Sequence, residues 1–260
     1  SNNILGYANS SGTGMLTNTG GRLAGIDMWV GSSLASSVQG NIVNNINWTS
    51  NDVISGFGTN NTICLLSFQG NGNIGTTSGN ILGDMTSVAS ASNGIYITST
   101  SASTSVNTGI NPLYVSGTAA CTVQNNNIGA IAATGPDTSP LLFYGIVITG
   151  DFSHIVTSNT VGGTVSNSIS LGIAGSTTAA TTCMGIYTAV GGSASITIGT
   201  LGSGNTIRNM TTNSSGAYSL VGIFSPNSPG TININGNSFS GNSTAGTGSC
   251  WAIFNQGTPT

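Results

Sequence analysis

The chain has 260 residues, a formal net charge of −3 and only 3% charged positions, against about 25% in an ordinary globular domain. Lysine and glutamate are absent, and the ionic groups are Arg22, Arg208, Asp27, Asp52, Asp84, Asp137 and Asp151, with His154 the single histidine. Two scattered arginines cannot form the clustered basic face that nucleic acid requires, and few groups are available for tuned acid–base chemistry.

Glycine fills 40 positions and Ser, Thr and Asn much of the remainder, a composition shared with flexible linkers. Linkers and disordered chains, however, combine low hydrophobicity with high net charge. Here 37% of residues are hydrophobic and the mean hydropathy is +0.21, so a folded chain is expected. Isoleucine outnumbers leucine, which favours strands over helices.

Taken in chain order, the opening SNNILGYANSS lacks the basic and apolar regions of a signal peptide, and reads as a processed chain or a piece of a longer one. NILG at 3–6 is followed by LAGID at 23–27, NIVNNI at 41–46, CLLSF at 64–68, NILGDM at 80–85 and SNGIY at 92–96. CTV at 121–123 then precedes NIGAIA at 127–132. LLFYGIVI at 141–148 is the longest apolar run, far short of the ~20 residues of a membrane-spanning helix. NTVGGT at 159–164, CMGIY at 183–187, ITI at 196–198, NTIRNM at 205–210 and LVGIF at 220–224 continue the series. INI at 232–234, NSFSGN at 237–242 and CWAIF at 250–254 close it.

Three words therefore alternate: a Gly-Ile-aromatic word, an Asn-apolar word and a β-branched word. They give about seven units of roughly 30–50 residues, the period range of stacked repeats. Helix signals are missing, and in-phase recurrence separates a solenoid from a hairpin-built sandwich. The expected fold is all-β: a single parallel β-helix, right-handed, spanning residues 1–260, with about seven coils of three short strands each.

In such a stack equivalent residues recur about every 4.8 Å. The Gly-Ile word predicts one ladder of Ile95, Ile146, Ile186, Ile223 and Ile253, each preceded by Gly94, Gly145, Gly185, Gly222 or, once, Ala252. Glycine there implies close approach of another backbone or layer. The Asn word predicts an apolar row of Val43, Leu82, Val161, Ile207 and Phe239. It also predicts a corner ladder of Asn41, Asn80, Asn127, Asn159, Asn205 and Asn237, whose amides hydrogen-bond up and down the stack as in cross-β assemblies.

Candidate chemistry is sparse. Cys64, Cys121, Cys183 and Cys250 are too widely spaced for a zinc motif. They read as buried structural thiols, with one disulfide or a metal ligand as alternatives; Cys183, Cys250 and Cys64 share a place in the repeat. Asp151 and His154 are expected in a surface turn. Asp52 and Asp84 fall in neighbouring coils, where oxygen-rich turns can hold Ca²⁺, yet the calcium nonapeptide repeat is absent. The sequons at Asn9, Asn47, Asn60, Asn209, Asn213 and Asn242 are the number chance supplies. Thr-x-Thr rows of the ice-binding kind are not expected to persist from coil to coil.

SGNTIRNM, ININGNSFSGN and the recurrent GIY and GIF words resemble bacterial cell-surface β-helix repeat proteins of the type IX-secreted adhesin and surface-fibre kind. The resemblance implies an extracellular stalk, adhesin or filament, with self as partner and surface glycans as a further one. It carries over no catalytic residue, cofactor or metal site, and no nucleic-acid or membrane-spanning role. A carbohydrate-active β-helix enzyme or tailspike is the competing reading. It needs clustered carboxylates, which five dispersed Asp do not suggest. A carbohydrate-binding module using Trp29, Trp48 or Trp251 as stacking platforms is the third reading.

Overall fold

The computed structural model describes residues 1–8, 13–52, 57–101, 108–136, 140–172, 181–213, 220–245 and 248–257. The described residues contain no α-helix, and their strands form four parallel sheets, three of seven strands and one of six. In every sheet each strand pairs with the equivalent strand of the coil before and after it. The result is a parallel β-helix of seven coils.

Six coils run through four sheets, A, B, C and D, in turn, one strand more than the expected three, and the seventh has described strands in A, B and C. The extra strand lies in sheet B, which receives Leu16–Gly20, Ile46–Ser50, Ile95–Ser99, Ile131–Thr134, Ile169–Leu171, Met210–Thr212 and Ser243–Thr244. It follows sheet A across a tight corner, so in the sequence the two strands run together. At Val43–Ile46 the whole corner is Asn44 and Asn45, with Asn45 at φ 55°. That left-handed conformation is one Asn tolerates better than most residues.

The apolar row of sheet A is Leu5, Val43, Leu82, Ile128, Val161, Ile207 and Phe239, each aligned with the next. The corresponding row of sheet C is Ile26, Leu66, Leu113, Ile146, Ile186, Ile223 and Ile253. Ile95 does not belong to it: it stacks between Ile46 and Ile131 in sheet B. Gly94 likewise is not in the glycine file of sheet C but turns the corner into sheet B at φ +72°.

The glycines of sheet C serve close packing. Phe143, Ile146 and Ile148 face the core while Tyr144 faces outward, so the strand changes phase at Gly145. A Cβ at Gly145 would lie 2.6 Å from the Gly185 carbonyl oxygen and 2.7 Å from Val161 of sheet A. At Gly185 it would lie 2.7 Å from both the Gly222 carbonyl oxygen and Ile207. Sheet A side chains therefore rest directly on the sheet C backbone, and one continuous apolar core fills the interior along the stack.

Candidate functional site

The corner between sheets D and A is the most regular polar feature. Asn3, Asn41, Asn80, Asn126, Asn159, Asn205 and Asn237 form a ladder in which each Nδ2 donates to the next Oδ1 at 2.7–3.0 Å. The same oxygen also accepts the backbone N–H of the preceding rung. The second Nδ2 hydrogen of Asn80, Asn126, Asn159, Asn205 and Asn237 goes to a sheet D carbonyl, of Val38, Ile74, Val123, Val156 and Ile198 respectively. Buried amides thus find both donor and acceptor partners, which removes the usual cost of polar burial.

Asn126, not Asn127, is the rung of the fourth coil; Asn127 points elsewhere and donates to the Asn125 carbonyl. In several coils the residue before the rung is left-handed: Asn2, Gly40, Asn125, Ser158 and Gly236 all have φ between 56° and 67°.

The carboxylates are dispersed. Asp27 accepts from Trp29 Nε1 at 3.1 Å, and Asp52 pairs with Arg22 at 3.2 Å. Asp84 accepts from Thr86 and Ser87. Burial pushes the Asp84 carboxyl up, but these hydrogen bonds outweigh it and hold the group below its ordinary value. Asp52 is thus engaged by Arg22 and Asp84 by its own turn. Asp137 lies outside the described residues. Among the described residues no three His, Cys, Asp or Glu side chains gather in metal-binding geometry.

All four cysteines are free; Cys64, Cys121 and Cys183 are buried and Cys250 is exposed. Cys183 and Cys250 share a file with Phe143 and Leu220. Cys64 does not join that file: it aligns with Asn111, one position away. Burial, with a smaller push from Asp27, drives the Cys64 thiol up to about 12, and burial alone raises Cys183.

His154 is not a surface turn residue. It occupies the inward position of sheet D between Cys121 and Ile196, is buried, and receives the Cys121 backbone N–H at Nδ1. Its Nε2 has no partner among the described residues. Burial drives its pKa down to about 4, offset in part by the nearby Gly150 backbone.

Two outward files escaped the sequence. Thr19, Thr49, Thr98 and Thr134 stack in register on sheet B, a four-coil file of single threonines rather than a Thr-x-Thr row, since the residues two before them are Thr17, Asn47, Tyr96 and Ala132. On sheet C, Phe57 covers Tyr114, Tyr144 and Tyr187, and the ring contacts continue from Tyr187 to Phe224, Phe254 and Trp251. Trp48 is a core residue, its indole donating to the Gly21 carbonyl, whereas Trp29 and Trp251 are exposed.

The end coils differ from the rest. Ile196, Ile198, Ile207 and Ile223 are fully buried, while their partners Ile232, Ile234 and Phe239 are only half-buried and Ile253 is 45% exposed. At the other end Leu5, Leu23, Ile26 and Met28 are half-buried and Leu16 is 40% exposed, against fully buried Val43, Ile63, Leu66 and Phe68. Both terminal coils present apolar inward rows and strands paired on one side only. No protein-family model, curated protein or solved structure matches the chain.

Proposed function

We propose that the chain is an extracellular structural protein whose β-helix units stack into a fibre, stalk or adhesin. The observation that supports this most is the apolar core and amide ladder that run without interruption along the stack of coils. Only 3% of residues are charged, so charge contributes little to keeping chains apart. An outer surface with few arginines and no lysine also gives trypsin-like proteases only Arg22 and Arg208 to cut after.

Size-exclusion chromatography with light scattering, followed by negative-stain micrographs, tests the reading. Rods longer than one unit, growing with concentration, are the expected result. A monodisperse monomer across the concentration range overturns it.

A further inference from the structure

Tyr144 and Tyr187 meet on the outer face of sheet C, on the paired strands Leu141–Thr149 and Thr182–Ala189 of the fourth and fifth coils. Tyr144 lies opposite Met184 and Tyr187 opposite Val147, so the two tyrosines are diagonal neighbours. Their ring centroids stand 4.9 Å apart with planes inclined at 44°. Phe57 closes the third side, at 5.7 Å from Tyr144 and 5.1 Å from Tyr187. Among the described residues no other two tyrosine rings are in contact.

Packing does not account for the two hydroxyls. The outward neighbours Val147, Met184, Val221 and Phe224 are apolar and buried, so phenylalanine would fill both places equally well. Neither phenolic oxygen makes a protein hydrogen bond and neither is sealed from solvent, whereas the Tyr114 oxygen accepts from Thr149 Oγ1 at 3.2 Å. Burial raises both phenols above their ordinary value, and Tyr187 adds to the effect at Tyr144, so both stay neutral at physiological pH.

We propose that Tyr144 and Tyr187 form an oxidative cross-linking site that joins the fourth and fifth coils through a dityrosine bond. The co-reactant is a one-electron oxidant of the haem-peroxidase class, supplied with hydrogen peroxide. Each phenol loses one electron and one proton and becomes a phenoxyl radical; the two electrons and two protons reduce one peroxide to two waters. The radicals combine through a carbon ortho to each oxygen, which forms a single C–C bond. Each of those carbons then releases its proton while its oxygen takes one up, restoring two phenols in a product two hydrogens lighter. Fixed proximity favours this pair over encounters between chains, and Phe57 has no hydroxyl with which to form a competing radical. Such a bond closes a loop around one whole coil and restricts the unfolded chain as a disulfide does, a role that the four free cysteines do not fill. Both coils lie inside the stack, with a coil on either side.

Dilute protein treated with a small haem peptide and hydrogen peroxide tests the site. Dityrosine fluorescence reports the bond, and mass spectrometry of a reduced peptic digest maps it. The expected product is a single chain carrying a Tyr144–Tyr187 link, with a thermal midpoint about 5–10 °C above that of Tyr144→Phe treated alike. Tyr144→Phe and Tyr187→Phe keep both rings, circular dichroism checks that they are folded, and each is expected to abolish the link. Tyr114→Phe is expected to leave it unchanged, and unfolding in urea before oxidation is expected to remove the preference for this pair. The proposal is overturned if the wild type forms no link within the chain, if the link maps to other tyrosines, if it survives Tyr144→Phe or Tyr187→Phe, or if linked and unlinked chains unfold alike.

Discussion

Asn159 Nδ2 stands 2.9 Å from Asn205 Oδ1, and both side chains are buried. Asn159 is satisfied on every side, by Asn126 below, Asn205 above and the Val123 carbonyl across the corner. Asn159→Ala strands several buried donors and acceptors at about 1–3 kcal/mol each, so a total loss of roughly 3 kcal/mol is expected. Urea unfolding measures it. Asn127→Ala, one residue from the rung of its coil, is expected to change stability by less than about 1 kcal/mol.

His154 makes stability sensitive to mild acid. The folded state holds it neutral with a pKa of about 4, below the ordinary 6.5. Above pH 6.5 neither state binds the proton, and the group adds no slope. As pH falls from 6.5 to 4 the unfolded chain takes up the proton first and stability drops by about 3 kcal/mol in total. Below pH 4 this loss is complete. Asp84 acts separately: its lowered carboxyl contributes stability above its ordinary 3.8 that disappears as pH falls through the folded value. His154→Ile, matching Ile196 in the same file, is expected to remove the slope between pH 6.5 and 4, read from denaturation midpoints across pH.

Gly185→Ala is expected to destabilise by about 1–3 kcal/mol through overpacking, because its Cβ would meet both the Gly222 carbonyl oxygen and Ile207 at 2.7 Å. Gly31 has nothing within 4 Å of such a Cβ, so Gly31→Ala provides the matched control. Thermal unfolding of the two variants side by side checks the difference.

Thiol labelling reads the packing of the core. Cys64, Cys121 and Cys183 are buried and Cys250 is exposed, so native monomer is expected to react with an aromatic disulfide reagent at Cys250 alone. All four react in denaturant.

Much of the fold was legible because its repeated words mark physical positions. The Asn word marks the D–A corner, and its apolar residue fills the sheet A row from Val43 to Phe239. Sheet B was hidden because its strands follow sheet A across a corner so short that the two run together in the sequence; the Thr at the fourth place of LTNTG, INWTS, IYITS and IAAT is the signal that could have marked it. Ile95 was drawn into the wrong file since a glycine at the corner before sheet B spells the same Gly-Ile-Tyr as a glycine inside sheet C. Asn126 was missed in the run of Asn125, Asn126 and Asn127, where composition cannot say which residue turns and which bonds. His154 did carry a signal. HIV at 154–156 stands where CTV and ITI stand in neighbouring coils, and alternation alone places the imidazole inward. The end faces had no sequence signature, because exposure there comes from the lack of a neighbouring coil rather than from residue type.

Ladder partners are separated by as few as 32 and as many as 46 residues, yet each step advances the stack by the same strand spacing of about 4.8 Å. The surplus residues leave the scaffold at its corners, as at 84–94 between sheets A and B. Length along the axis and breadth of the flanks are thereby uncoupled. Residues inserted at a corner widen what one flank displays without changing pitch, register or core, so the outer decoration of such a rod can diversify while its inner geometry stays constant.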